Sequence, residues 1–97
     1  MPKAYLVSNY TAISDTDKLA AYAKLAGPAI EALGGRYIAR GVAARAMEAG
    51  VQQRTVIVEF DSLETALSLY DDPAYQVALK ALDGGAVRDM RIVEGVA

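Results

Sequence analysis

Two arginines and one glutamate are the side chains best suited to bind or activate a small molecule. Arg36 and Arg40 lie four residues apart in an alternating run that predicts a strand, so both are expected on one face of it, together with Ile38. If this strand pairs antiparallel with the next, Arg36 lies opposite Glu59 and Arg40 opposite Thr55. Arg36 could then orient a carboxylate or enolate while Glu59, if desolvated, acts as a catalytic base with a raised pKa. The alternative is a charged edge strand with a structural Arg36–Glu59 pair.

Tyrosine dominates the aromatic residues, with six tyrosines and one phenylalanine. Tyr22, Tyr70 and Tyr75 fall on the predicted inner faces of helices, where a buried ring still needs a partner for its hydroxyl. These hydroxyls either point into a ligand cavity between helices and sheet or bond to backbone at the rim of the core. Asn9, at the end of the first predicted strand, is either an amide in that pocket or a strand terminator.

Several chemistries are excluded by composition. The chain has no cysteine and no histidine, which removes thiol and imidazole catalysis and the usual zinc, haem and iron ligand sets. Gly34-Gly35 and Gly84-Gly85 follow predicted helices instead of preceding them, unlike a phosphate-binding loop. The acids Asp15, Asp17 and Asp71-Asp72 have the positions of helix caps, not of a metal cage. No cofactor and no metal ion is predicted.

Length and charge limit the partners. The 97 residues predict one domain, 1–97, and 54% of them are hydrophobic, a high share that indicates a surface buried against a second copy. With a net charge of −2 and basic residues spread along the chain, neither nucleic acid nor an anionic membrane is expected as a partner. Met1-Pro2-Lys3 leads directly into a strand pattern, without an apolar signal core or membrane-length segment, so a cytoplasmic location is expected.

The elements that must position these residues follow the order strand, helix, strand, strand, helix, strand. Strands are predicted over 4–10, 36–40, 53–60 and 88–93. The first helix should end before Gly34 and be kinked or briefly broken at Gly27-Pro28. The second should begin at an Asp61 cap, with Leu67 and Tyr70 facing inward, and restart after Asp72-Pro73.

This order predicts an α+β fold, a ferredoxin-like βαββαβ domain with a four-stranded antiparallel sheet. Both helices should cover one face of the sheet, with the first and third strands in its centre. The other face is also apolar, at Leu6 or Val7 and Ile57 or Val58, so a second copy is expected to cover it. The sequence therefore predicts a homodimer that packs sheet against sheet.

Three segments resemble a known family, and together they cover nearly the whole chain. GGRYIARG, VIVEFDSLETALSLYDDPAYQ and the closing RIVEG are similar to the domain of unknown function 1330 family, part of the dimeric α/β-barrel superfamily. The resemblance implies a ferredoxin-like protomer, a two-fold dimer and no settled activity. One departure is Asp83, which stands where the family often has an arginine after the second helix.

Three functions remain open. The first is a small cytoplasmic homodimer that binds a small anionic or aromatic molecule in the cleft between helices and sheet. The second is a cofactor-independent monooxygenase or isomerase acting on an enolisable ring, which needs an acid–base pair such as Glu59 with a tyrosine. The third is a structural dimer whose own side chains fill the cleft. A cavity lined by Arg36, Tyr22 and Glu59 is expected under the first two.

Overall fold

The computed structural model describes residues 2–97 and contains one sheet, three α-helices and a short 3-10 turn. The elements are β1 (Ala4–Ile13), α1 (Thr16–Ala32), β2 (Arg36–Val42), β3 (Arg54–Phe60), α2 (Leu63–Leu67), the turn Leu69–Asp71, α3 (Pro73–Leu82) and β4 (Ala86–Glu94). None of the helices in this range has the length and apolar character needed to cross a bilayer.

The sheet has the order β2-β3-β1-β4, and all three neighbouring pairs are antiparallel. The ferredoxin-like arrangement predicted from the sequence is confirmed, including β1 and β3 as the central strands. The pairing between β1 and β4 is longer than predicted, because β1 continues past Tyr10 to Ile13 and β4 already begins at Ala86. A register shift between Tyr10 and Ala12 lets the two strands stay paired through this extension.

The two faces of the sheet differ as the alternation predicts. Ala4, Leu6, Ser8 and Tyr10 of β1 are buried on the face that the helices cover, which we call the helix face. The residues between them in the strand point to the opposite face, which no other element of residues 2–97 covers and which we call the open face. Side chains of Tyr5, Val7, Asn9, Thr55, Ile57 and Glu59 are only partly buried there.

Helix α1 starts as predicted but is not interrupted. The Asp15 carboxylate accepts hydrogen bonds from the backbone N–H groups of Asp17 and Lys18, and Gly34, with a φ of 81°, follows the helix end. Of the kink or short break expected at Gly27-Pro28, the break is wrong, because the helix runs continuously from Thr16 to Ala32. Ala26, Ala29 and Ile30 are buried on either side of the proline, so core packing holds this turn helical.

The second helical region is shorter and capped differently. Ser62, not Asp61, caps α2 by accepting a hydrogen bond from the Thr65 N–H, so the predicted Asp61 cap is wrong. After five residues the chain tightens into the 3-10 turn, and Leu69 takes the buried position. Leu67 and Tyr70 are therefore exposed, at 56% and 39%, instead of facing inward.

A β-bulge in β2 corrects the predicted placement of the two arginines. Arg36 pairs with Glu59 as expected, but the register shifts between Tyr37 and Ala39, and Arg40 pairs with Val56 instead of Thr55. One extra residue in one strand turns every later side chain to the other face. The expectation that Arg36 and Arg40 share a face is therefore wrong, and Arg40 lies on the helix face.

Candidate functional site

One cleft of the protomer lies between α1 and the helix face of the sheet. It encloses about 40 Å³, which by the usual allowance holds roughly three water molecules. All four strands and α1 contribute to its wall, which consists of Leu6, Ser8, Tyr10, Leu19, Tyr22, Ala23, Ile30, Tyr37, Arg40, Arg54, Val56, Val58, Arg88 and Met90. Apolar and aromatic side chains thus surround a small group of polar ones.

Three arginines in this wall give the cleft its charge. Arg40, Arg54 and Arg88 come from β2, β3 and β4, and none of them forms an ion pair with a carboxylate in residues 2–97. Their guanidinium groups lie over aromatic rings instead. We call these residues the arginine cluster. Because arginine stays charged in proteins, the cluster makes the cleft strongly positive.

Tyrosine rings order the arginine cluster. The Arg40 guanidinium carbon lies 4.7 Å from the centre of the Tyr37 ring, and that of Arg88 lies 4.6 Å from the Tyr22 ring. Arg54 and Arg88 both approach the Tyr10 ring, at 5.9 and 5.7 Å. Cation–π contacts hold a guanidinium in place while leaving its N–H donors available. The cluster is therefore positioned without being neutralised.

Tyr22 and Tyr75 form a buried pair of hydroxyls behind this cluster. Their oxygens are 2.7 Å apart, and the Arg88 Nη1 donates to the Tyr22 oxygen over 3.0 Å. Burial raises the pKa of Tyr22, although nearby Arg88 offsets part of this effect, and burial also raises the pKa of Tyr75. Both phenols are therefore protonated at neutral pH.

Arg88 keeps its charge in spite of its position. Burial on its own lowers the pKa of Arg88, but the surrounding tyrosines, Tyr22 first and then Tyr75 and Tyr10, together raise the pKa above its ordinary value. The charge of Arg88 is thus a fixed feature of the cleft.

Two polar atoms of the wall have no hydrogen-bond partner in residues 2–97. They are the Ser8 Oγ and the Arg54 Nε. Ser8 is only 4% exposed, and a buried polar group without a partner is costly. Both residues line the same cleft.

The predicted Arg36–Glu59 pair forms on the open face. Arg36 donates from Nε and Nη2 to the Glu59 Oε1, over 3.1 and 3.0 Å, and its Nη2 also reaches an Asp61 oxygen at 2.9 Å. Tyr5 donates its hydroxyl proton to the other Glu59 oxygen over 3.2 Å. The hydrogen bond from Arg36 lowers the pKa of Glu59, the reverse of the shift expected for a desolvated base. The expected cavity lined jointly by Arg36, Tyr22 and Glu59 is not formed, because Tyr22 is on the helix face.

The other predicted site residues are spread over the molecule. Tyr22 and Arg40 line the cleft, and Tyr75 lies directly behind Tyr22. Asn9 is on the open face, where its side-chain oxygen accepts a hydrogen bond from Thr55. Tyr70 lies outside the cleft, with its ring 5.3 Å from that of Tyr75. The ligand-binding roles expected for these residues and for Arg36, and the catalytic role expected for Glu59, stay predictions.

Five polar or aromatic wall residues were not predicted from the sequence, namely Ser8, Tyr10, Tyr37, Arg54 and Arg88. The alternation of side chains between the two faces of each strand could have identified them. Ser8 lies between the core positions Leu6 and Tyr10. Arg54 and Arg88 each lie two residues before a core-facing residue, Val56 and Met90, and therefore point to the same face of the sheet. A polar or charged residue at a core-facing position of a strand is unusual and indicates a polar site.

Four antiparallel strands with helices on one face, enclosing a cleft between them, define a ferredoxin-like α+β protein. The chain belongs to the DUF1330 family, described as a domain of unknown function, whose family model matches residues 3–96. The resemblance seen in the sequence is thereby confirmed. No curated protein is similar enough to the chain to count as a match.

Solved structures share the fold at low sequence identity. A protein of unknown function from Rhodopseudomonas palustris, RPA0582, is 21% identical with a TM-score of 0.71, over 96% of this chain and 80% of that one. A candidate antibiotic biosynthesis monooxygenase from Caulobacter crescentus is 13% identical with a TM-score of 0.63, over 99% and 92%. A protein from Bacteroides fragilis, described as dimeric with a ferredoxin-like fold and unknown function, is 18% identical with a TM-score of 0.53, over 95% of each chain.

Proposed function

We propose that the protein binds a small organic anion, of the carboxylate or enolate class, in the cleft between α1 and the sheet. The observation that carries the proposal is the arginine cluster, which has three guanidinium groups and no carboxylate partner within residues 2–97. An anion in the cleft would offset part of this charge and accept hydrogen bonds from the Arg54 Nε and the Ser8 Oγ, which have no partner in the described chain. Arginine forks match planar anions such as carboxylates well.

The rest of the wall supports a ligand with an apolar body. Leu19, Ile30, Val58 and Met90 provide aliphatic contacts, and the tyrosine rings provide flat ones. The enclosed 40 Å³ is too small for an aromatic ring, so entry requires a side chain to move. Arg40 is suited to this movement, because it is exposed and its guanidinium is held by stacking on the Tyr37 ring.

The proposal includes a homodimer in which two open faces pack together. Val87 and Val93 are 61% and 53% exposed on this face, beside the partly buried Val7 and Ile57. The apolar residues of this face lie among charged ones such as Arg36 and Glu59, and a second copy is the partner that the sequence led us to expect over them. Proteins of this fold from Bacteroides fragilis and Thermobifida fusca are described as dimeric. The cytoplasmic location stays a prediction, which cell fractionation would test.

Calorimetric titration with benzoate tests the binding proposal, with neutral benzamide as the matched probe. Benzoate should bind at least about tenfold more tightly than benzamide, because a charge-assisted contact contributes roughly 1.5 kcal/mol or more. Arg54→Ala should remove most of this preference. Arg45→Ala, which removes an exposed arginine outside the cleft, should leave it unchanged. Equal affinity for both probes would contradict an anion site, and no binding of either would favour the purely structural dimer.

A second candidate is a cofactor-independent monooxygenase- or isomerase-like enzyme. It is favoured by the Tyr5 hydroxyl on the Glu59 carboxylate, the kind of acid–base pair such an enzyme needs. The lowered pKa of Glu59 keeps it ionised at neutral pH, as a base must be, but also makes it a weaker base. Oxygen uptake with a hydroxynaphthalene substrate, lost in Glu59→Gln, would support this function. Uptake that persists in the variant would remove Glu59 as the base.

A further inference from the structure

The buried Tyr22–Tyr75 hydrogen bond has a direction that follows from the surroundings of Tyr75. Tyr75 is 0% exposed, and its hydroxyl has one hydrogen-bond partner in residues 2–97, the Tyr22 oxygen. A buried O–H group that donates to nothing loses the full desolvation cost of the donor. Donation from Tyr75 to Tyr22 satisfies this donor, whereas the reverse direction would leave it unpaired.

Arg88 completes the set of donors on the Tyr22 oxygen. Its Nη1 is a donor only, and it lies 3.0 Å from that oxygen. A hydroxyl oxygen has two acceptor sites, so Tyr75 and Arg88 together fill them. The hydroxyl proton of Tyr22 then has no acceptor in residues 2–97, although Tyr22 is only 7% exposed and its side chain lines the cleft.

We propose that Tyr22 donates this proton to an anionic oxygen of the ligand and thereby determines the specificity of the cleft for oxyanions. The inference rests on the proposed binding function and identifies the acceptor end of the ligand, a carboxylate or enolate oxygen. Tyr75 and Arg88 are positioning residues, which orient the Tyr22 hydroxyl by occupying its acceptor sites. Two donors on one oxygen also polarise the remaining O–H bond, which strengthens its bond to an anion.

Ser8 extends the same donor set. Its hydroxyl is buried, lines the cleft and has no partner in the described chain. With the Arg54 Nε, it gives a ligand oxygen further donors from the floor of the sheet. A ligand that presents only donors, such as an ammonium group, would leave all of these unpaired and should be rejected.

Benzoate titration of Tyr22→Phe and Tyr75→Phe tests the inference, because each variant removes one hydroxyl of the same hydrogen bond. Tyr22→Phe should lower benzoate affinity about tenfold or more, and Tyr75→Phe only about twofold to threefold, since Tyr22 keeps its free proton. If the direction were reversed, Tyr22→Phe would bind benzoate nearly as tightly as the parent protein, and the inference would fail while the binding function stood. If the parent protein itself does not bind benzoate, both fail together.

A spectroscopic measurement on the unaltered sequence covers the case in which Tyr22→Phe folds poorly. With tyrosine labelled by ¹³C at Cζ, saturating benzoate should shift the Tyr22 resonance strongly and the Tyr75 resonance weakly. A general loss of packing would not produce this asymmetry. Binding that leaves the Tyr22 resonance in place would overturn the inference.

Discussion

Arg40 lies opposite Val56 across the paired strands β2 and β3, one position away from the register that would place it opposite Thr55. This offset brings its guanidinium over the Tyr37 ring on the helix face, 4.7 Å from the ring centre. The bulge in β2 therefore decides which face of the sheet carries the third positive charge of the cleft.

Replacing Arg40 and Arg36 separately tests whether the two arginines lie on opposite faces of the sheet. Arg40→Ala should weaken benzoate binding about threefold, because an ion pair with a solvent-exposed arginine contributes roughly 0.2–1 kcal/mol. Arg36→Ala tests the ligand role predicted for Arg36. Since its guanidinium lies across the sheet, cleft binding should persist in calorimetric titration. Equal losses in both variants would return Arg36 to the site.

Ser8→Ala should stabilise the ligand-free protein and weaken the ligand complex at once. Removing a buried hydroxyl without a partner relieves a cost on the order of 1 kcal/mol, so the urea midpoint should rise. Benzoate affinity should fall, because the ligand loses a donor. Ser68→Ala, which removes an exposed hydroxyl outside the cleft, serves as the control for affinity. A variant that is less stable and binds benzoate normally would remove Ser8 from the donor set.

The free energy of unfolding should fall in acid, because the carboxylates paired with Arg36 become protonated. Hydrogen bonds from Arg36 lower the folded-state pKa of both Glu59 and Asp61. A lowered pKa stabilises the fold above the ordinary carboxyl pKa near 4, and this contribution is lost as the pH falls through the folded value. Urea unfolding at pH 7 and pH 3 should therefore show a smaller acid loss in Glu59→Gln than in the parent protein. An identical acid loss would mean that the pair is not formed in solution.

A charge placed on the open face should separate the two copies. Ile57→Lys puts a cation in the centre of this face, where sheet packing would leave it buried and unpaired. Sedimentation should show a dimer for the parent protein and a folded monomer for the variant. Val77→Lys, on the exposed surface of α3, is the matched control and should remain dimeric. A monomeric parent protein at micromolar concentration would contradict the proposed dimer.

Features that depend on alternation were predictable, and features that depend on one inserted or displaced residue were not. The repeating apolar positions of β1 and β3 fix both their faces and their central place in the sheet. The bulge near Ile38 has no glycine or proline to mark it, and it alone moves the Arg40 side chain to the helix face. At α2, Asp61 and Ser62 are both residue types that cap helices well. Asp61 instead accepts a hydrogen bond from Arg36, and this contact between residues distant in sequence cannot be predicted from the local pattern.

The most direct test of the arginine cluster is to observe the arginine Nε–H groups by ¹⁵N-resolved NMR while benzoate is added. An anion in the cleft should shift the Arg54 resonance most, because its Nε has no partner in the described chain, and should also shift that of Arg88. Arg36, whose Nε already donates to Glu59 on the other face, should stay in place. Saturating benzoate that leaves Arg54 and Arg88 unchanged would contradict an anion site between α1 and the sheet.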